Sequence, residues 1–287
     1  MTSEKGAVFA LGKLVDAATA GHFTLPEPVL DAWATRERVR AITSDEPAPL
    51  HVDTAAAQVF AATAAGEPVD VVDLARQVRS SAEDCHAHDM ASRVRRAAVE
   101  MADNAARIVA SEMTEVTISE HLRPALDDVY AQARRCAADL AGFGLEPRAL
   151  LTAPAKARSA FAALGGLVDR RNLLFEARSW VNAVGHRVPT NDEAGMFAEF
   201  ENPMVLVPGW QLSTAPWPGV PAPEDPVERL LWVASDGVAP ARPWLPTVAE
   251  LDAAYWKVFG AGIEMRAQAQ RDSEAIGARG VFVGARR

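Results

Sequence analysis

The chain has 287 residues, about half of them hydrophobic, so it can bury a sizeable core in one large domain or two small ones. Its net charge of -9 argues against a protein whose main activity is non-specific binding of nucleic acid. Two Cys without a secretory leader pattern exclude a disulfide scaffold and argue for a reducing compartment. The longest uncharged stretch, residues 202–223, is rich in Pro and cannot be a membrane-spanning helix. We therefore expect no nucleic-acid partner and no membrane association.

The apolar half of the chain is rich in Ala, which supplies about a fifth of all residues. Ala favours closely packed helices, whereas a β-sandwich would need Val, Ile, Thr and aromatic residues. We predict a mainly α fold, a helical bundle with little β. Its first region, residues 1–68, is predicted to consist of short helices separated by turns.

The strongest pattern lies in residues 69–145, which we predict to form a long helical hairpin that projects from the bundle. An apolar stripe at helical spacing runs from Val71 to Cys85 and resumes after a one-residue slip as Met90, Val94, Ala97, Met101, Ala105 and Ile108. This predicts a helix over about 70–112. At 1.5 Å per residue the helix is roughly 60 Å long, and such a projection usually exists to contact a partner.

The second arm of the predicted hairpin carries a seam with regular 4-3 spacing, formed by Leu122, Leu126, Val129, Ala133, Cys136, Leu140 and Phe143. It predicts a helix over about 119–143, with Ser119 as its N-cap, although Pro124 favours a start nearer Arg123. The seam fits packing within one chain or between two copies, so a homo-oligomer is possible. Its first members, Leu122, Leu126 and Val129, are candidate interaction residues.

A core helix with a Gly165-Gly166 pair that could break or kink it is predicted within residues 146–188. The last region, residues 247–287, begins with a Thr247/Glu250 capping box and a helix to about residue 271. A possible lone strand follows at residues 280–284.

Between these helices, residues 189–246 contain more than half of the 19 Pro and four of the seven Trp. They predict an extended arm with a short β element near residues 204–207 and a short helix near 228–234. Large rigid Trp side chains are typical of interaction segments, so we take as candidate interaction residues Trp210, Trp217, Trp232 and Trp244. The alternative is that the arm wraps the protein's own helices.

Polar residues that could carry chemistry occur in three places, but none forms a known motif. Residues 85–89 supply a thiol, two imidazoles and a carboxylate, yet His86 and His88 lie about 200° apart on a helix, so a metal site would need His121 as well. His186 lies in a Pro-bounded loop and is the best candidate for acid–base chemistry, the alternative being a cation at a helix end. Glu199 and Glu201 would share one side of a strand. We predict no catalytic, cofactor-binding or metal-binding residue.

The run Ser-Glu-His-Leu-Arg-Pro-Ala-Leu-Asp-Asp-Val-Tyr at residues 119–130, which follows a long helix rich in Ala, Arg and Glu, resembles a pattern in uncharacterised proteins from the structural-gene region of actinobacteriophages. The resemblance covers the helical segment at about 70–143 and brings no catalytic residues with it. It implies a virion or assembly role. The excess of Arg over Lys fits the GC-rich coding of such a source.

The predicted function is therefore that of a phage structural or assembly protein, not an enzyme. We expect it to be head-associated as a minor capsid, decoration or scaffold-like component, bound by multivalent docking to the major capsid or other virion proteins. Its expected location is the virion, or the host cytoplasm during assembly. Two alternatives remain open: an enzyme or metal protein with a site near His186 or at Cys85–Asp89, and a host-directed module that binds a helix through the seam.

Overall fold

The computed structural model describes residues 4–42, 50–64, 68, 70–143, 145, 151–210, 216–235, 238 and 241–283. Over these ranges the fold is mainly α, as the composition predicts. No strand occurs in them, and one isolated antiparallel bridge joins Phe200 to Pro243. In chain order the α-helices are α1 (Glu4–Thr19), α2 (Glu27–Arg40), α3 (Val52–Ala64), α4 (Val71–Glu112), α5 (Thr114–Val116), α6 (Arg123–Asp139), α7 (Ala155–Val184), α8 (Pro226–Ala234) and α9 (Val248–Val283).

The chain divides into two compact units. Unit 1 consists of Met1–Pro26 and Ala110–Arg287, and unit 2 consists of Glu27–Val109. One boundary follows Pro26 and the other lies inside α4 after Val109, so the predicted regions 1–68 and 69–145 each contribute to both units. Such a division depends on which distant helices pack together, and the local composition does not reveal that packing. The first residues of two predicted regions, 69 and 146, lie outside the described ranges.

Unit 1 is built around α7, which contacts α1, α6 and α8. The predicted seam of α6 faces this core: Leu122, Leu126, Val129 and Ala133 are at most 1 % exposed, and Leu140 is also buried. At the end of the seam Phe143 is exposed. The seam is thus satisfied within one chain, which answers the question that its spacing left open.

The predicted joint at residues 114–119 is helical. The short helix α5 is followed by a π-helical segment, Thr117–Leu122, that leads directly into α6. Ser119 does not cap a helix, because its hydroxyl donates to the carbonyl of Glu115 at 2.8 Å. Pro124 explains the wider turn: its ring has no N–H and crowds the preceding turn, and the Arg123 N–H bonds five residues back to Ile118. The start of α6 at Arg123 confirms the alternative boundary, while the hairpin itself stays a prediction.

Two local predictions in unit 1 are wrong, and the break that Gly165 and Gly166 could cause does not occur, because the core helix continues as α7 to Val184. Instead of a β element, a 3-10 turn spans Pro203–Leu206, where Pro suits the first helical position. The predicted strand at 280–284 belongs to α9 as far as Val283, and Gly284 lies outside the described residues. A lone strand would have had no partner to pair with.

Unit 2 contains α2, α3 and most of α4. Its buried cation is Arg36, whose Nε donates to Asp103 Oδ1 of α4 at 2.6 Å and whose guanidinium lies 4.2 Å from the ring of Trp33. Nearer the start of α4, Ser81 Oγ accepts the N–H of Leu50 at 2.8 Å. Among the described residues of unit 2, four are buried, namely Val29, Arg36, Ala55 and Ala106. Unit 2 therefore has a small core for a segment that includes so long a helix.

Candidate docking surfaces

An apolar groove lies between α3 and α4 in unit 2. Its volume is about 570 Å³, and it is lined by Val52, Ala55, Ala56, Val59, Val71, Leu74, Ala75, Val78, Arg79 and Ala82. The lining side chains are small, so another helix could approach the groove walls closely. Among the described residues of the lining, Arg79 is the one charged group, and it is paired with Glu83 at 3.0 Å. The groove is thus a nearly neutral apolar surface.

A second apolar surface runs along α4 beyond the groove. It consists of Met90, Val94, Ala97, Met101, Ala105 and Ile108, which we call the α4 stripe, and every member is exposed. The one-residue slip explains the exposure. Cys85 to Met90 is five residues, which at 3.6 residues per turn rotates the apolar positions by about 140° away from the packed face. The periodicity correctly predicted the helix but could not show which face would be covered.

All four candidate Trp residues are half-buried against this chain's own residues. Trp210 stacks edge-on with Trp217 at 5.0 Å and with Phe259 of α9 at 6.0 Å, and its Nε1 donates to the carbonyl of Pro216 at 3.1 Å. Trp232 makes an edge contact with Phe200 at 6.2 Å. These contacts correspond to the alternative in which the arm packs on other helices of the same protein.

Trp244 fastens the end of the arm to α9. Its Nε1 donates to the carbonyl of Phe197 at 2.6 Å, and its ring packs on a buried cluster formed by Ala194, Phe197, Leu251, Ala254 and Tyr255. The predicted capping box at the start of α9 is confirmed, because the Thr247 N–H donates to Glu250 and the Glu250 N–H donates to Thr247 Oγ1.

The three other candidate interaction residues, Leu122, Leu126 and Val129, lie in the core of unit 1, where a partner could reach them only by displacing the helices that cover them.

The polar residues at positions 85–89 do not converge on one point. Cys85 lies on the packed face of α4, His86 is exposed, and Asp89 is paired with Arg93 at 3.0 Å. His121 belongs to unit 1, where its Nδ1 lies 2.7 Å from Thr24 Oγ1. In the part of the chain that the structure describes, no three His, Cys, Asp or Glu side chains are grouped so that they could hold a metal ion.

His186 follows the end of α7 with a positive φ of 50°, and it is exposed, as is Arg187. The nearby Asn191 caps a 3-10 turn by accepting the Glu193 N–H at 2.9 Å, and the Glu193 carboxylate accepts the hydroxyl of Tyr255 at 3.2 Å. The polar groups around this loop therefore hold the turn and tie it to α9. No contact in the described residues joins His186 to a second acid or base.

Glu199, which sequence reasoning grouped with Glu201 on one side of a strand, is the centre of an ion cluster in unit 1. Arg171 of α7 donates to Oε1 and Arg229 of α8 donates to Oε2 at 2.6 Å. Arg171 Nε also points at the Tyr130 hydroxyl of α6, at 3.4 Å. The cluster thus connects three helices to the bridge at Phe200. Sequence reasoning missed it because its members are 28 and 30 residues apart and form no local motif.

Three titratable groups of unit 1 have shifted pKa values, and one of them is Arg178, whose pKa is lowered by burial. Burial raises the pKa of Tyr130 above 10.0, and the positive charge of Arg171 opposes the rise. Burial also raises the pKa of the Cys136 thiol, with Asp139 acting in the same direction and Arg135 against it. The shifts of Tyr130 and Cys136 keep each group protonated at neutral pH, so neither side chain is an activated nucleophile there.

A smaller cavity of about 270 Å³ lies beside the arm and is lined by Glu201, Asn202, Trp244, Glu250, Ala253, Ala254, Lys257 and Val258. Its carboxylates already have partners. Glu250 completes the capping box and pairs with Arg123 at 2.6 Å, and Glu201 lies 3.9 Å from Arg242. The cavity is therefore bounded by groups that hold the arm and α9 in place.

Comparison with known proteins identifies no relative: no family model, no curated protein and no solved structure matches the chain. None of the helices in the described ranges combines the length and the apolar composition that crossing a bilayer requires. The surfaces that remain as functional candidates are the groove and the α4 stripe, both of which belong to unit 2.

Proposed function

We propose that this chain is a structural or assembly component of a phage particle, head-associated, that acts by docking onto other virion proteins. The observation that carries the proposal is the apolar groove between α3 and α4. Hydrophobic grooves between helices are a recurrent docking site for an amphipathic helix of another protein, and the described lining of this groove is almost entirely apolar. The resemblance of residues 119–130 to phage structural-region proteins supports the setting.

The occupant that fits the groove is an amphipathic helix of a virion protein. A groove walled by two helices accepts a third helix, whose apolar side chains pack between the small residues of the walls. Ala55, Ala56 and Ala75 allow the backbone of that helix to approach closely. Each such contact is weak alone, and repetition over a particle surface converts it into strong binding.

The test compares two variants that differ by one position on α3. Ala56 lines the groove and Ala57, although also exposed, does not. Ala56→Glu places a charge where the partner helix packs, so we expect incorporation into particles to fall by about tenfold or more. Ala57→Glu should incorporate like the unchanged chain.

The measurement is quantitative mass spectrometry of purified phage particles and of assembly intermediates from a culture that produces the chain. A fixed copy number per particle or intermediate, reduced in Ala56→Glu alone, would support the proposal. Absence of the chain from both fractions would refute the assembly role, and equal incorporation of the two variants would refute the groove as the docking site.

A further inference from the structure

The α4 stripe forms an apolar face that the described residues leave exposed. Met90, Val94, Met101 and Ile108 are 46 %, 66 %, 74 % and 48 % exposed. The face of α4 that packs within unit 2, which includes the buried Ala106, lies about half a turn away from the stripe. The exposed residues are therefore not the rim of the core of unit 2 but a separate surface.

The size of this surface suits self-association. The stripe exposes roughly 500 Å² per copy, so pairing two copies would bury on the order of 1,000 Å², about the lower limit for a specific protein interface. Long helices in water obtain most of their stability from packing of an apolar face. A second copy of α4 would supply that packing for the half of the helix that unit 2 leaves uncovered.

The charges beside the stripe select the orientation of the pair. One edge carries Arg93, Glu100 and Arg107 at seven-residue intervals, and the other carries Ala91 and Ala98 and ends at Ala105 of the stripe itself. In an antiparallel pair whose two stripes overlap fully, the charged edges meet, so Glu100 faces Glu100 of the second copy and Arg93 faces its Arg107. In a parallel pair each charged edge faces the Ala edge, so the like charges stay apart and the Arg stems pack over small residues.

We propose that two copies of this chain pair through the α4 stripe, with their α4 helices parallel. The pairing uses a different surface from the groove and does not depend on the proposed function. A pair presents two grooves at once, so it doubles the number of contacts available to a partner.

The first test measures association by sedimentation velocity. We expect the unchanged chain to dimerise at roughly 10–100 µM, and Met101→Glu to raise the dissociation constant by about 100-fold or more, because it buries a charge on each side of the interface. Met265→Glu is the matched control: Met265 of α9 is 69 % exposed, and its substitution should leave association unchanged. Circular dichroism of each variant confirms that the helices are retained.

The second test determines orientation with single cysteines introduced into a Cys85→Ser, Cys136→Ala chain. In a parallel pair Val94 lies next to Val94 of the second copy, so Val94→Cys should form an interchain disulfide on mild oxidation. In an antiparallel pair Glu100→Cys would cross-link instead.

Each contrary result overturns the proposal. A chain that stays monomeric at about 100 µM, or an equal effect of the two Met substitutions, excludes pairing through the stripe. Cross-linking of Glu100→Cys, or of neither variant, excludes the parallel arrangement. Loss of pairing would leave the groove experiment unaffected, since Ala56 and Ala57 lie on α3.

Discussion

Glu199 shows how single residues hold unit 1 together. One carboxylate is shared by two guanidinium groups from different helices, so the three charges of this half-buried cluster are paired with one another. Removing one member of such a cluster leaves the others uncompensated, which costs more than the pair itself contributes. Glu199 therefore holds α7 and α8 together through its two ion pairs.

Tyr130, at the edge of that cluster, makes the stability of unit 1 sensitive to high pH. Its pKa is raised in the folded chain mainly by burial, whereas in the unfolded chain it ionises near its ordinary value of 10.0. The stabilisation that comes from the buried neutral phenol is complete below that pH and is lost as the pH rises towards the folded-state pKa. We expect the free energy of unfolding to fall more steeply between about pH 9 and pH 11 in the unchanged chain than in Tyr130→Phe. Urea unfolding followed by circular dichroism measures the free energy of unfolding of both chains at each pH. Parallel pH profiles of the two chains would contradict the prediction.

At the scale of elements, the regular seam of α6 allowed the strongest sequence prediction. Its 4-3 spacing specifies one helix face, and that face is the one the core of unit 1 covers. The spacing could not show what covers it, and the same limit applies to the α4 stripe, whose residues are as apolar but remain exposed. Periodicity indicates that a segment is helical, while the burial of its apolar face depends on contacts between distant segments.

The groove and the ion cluster were less predictable than the helices. The groove needs α3 to lie beside α4, and the pair of Arg residues on Glu199 needs α7 and α8 to meet near the bridge at Phe200. Neither arrangement leaves a local signal in the chain. The capping box at Thr247 was predictable because all its atoms lie within four residues of one another.

The contact between α5 and the end of α7 gives a prediction at the same scale. A Cβ added to Gly185 would lie 2.8 Å from Oγ1 of Thr114, which is held by a hydrogen bond to the carbonyl of Ser111. Gly185→Ala should therefore lower the free energy of unfolding by about 1–3 kcal/mol through overpacking. Gly165→Ala, in the same helix with open space at its Cβ, should instead raise it by about 0.5–1 kcal/mol. Urea denaturation compares the two, and a neutral Gly185→Ala would show that α5 yields easily.

For the molecule as a whole, the two units differ in how much they bury. The four buried residues of the described part of unit 2 contrast with the extended core around α7 in unit 1. Regions with few buried contacts open locally at lower free energy. In dilute solution we expect the amides of residues 85–105 of α4 to exchange with deuterium at least about tenfold faster than those in the middle of α7.

Hydrogen exchange followed by mass spectrometry measures both helices in one sample. The comparison is made well below the concentration at which copies pair, so that self-association does not protect α4. Equal protection of the two helices would show that unit 2 is held as firmly as unit 1 despite its small core.

The close approach of Gly185 to Thr114 also has a consequence for the history of the sequence. Two positions that share one small space cannot change independently. In any relative with this fold, a side chain at the position of Gly185 should occur together with Gly or Ala at the position of Thr114. The two positions, 71 residues apart in the chain, should therefore covary.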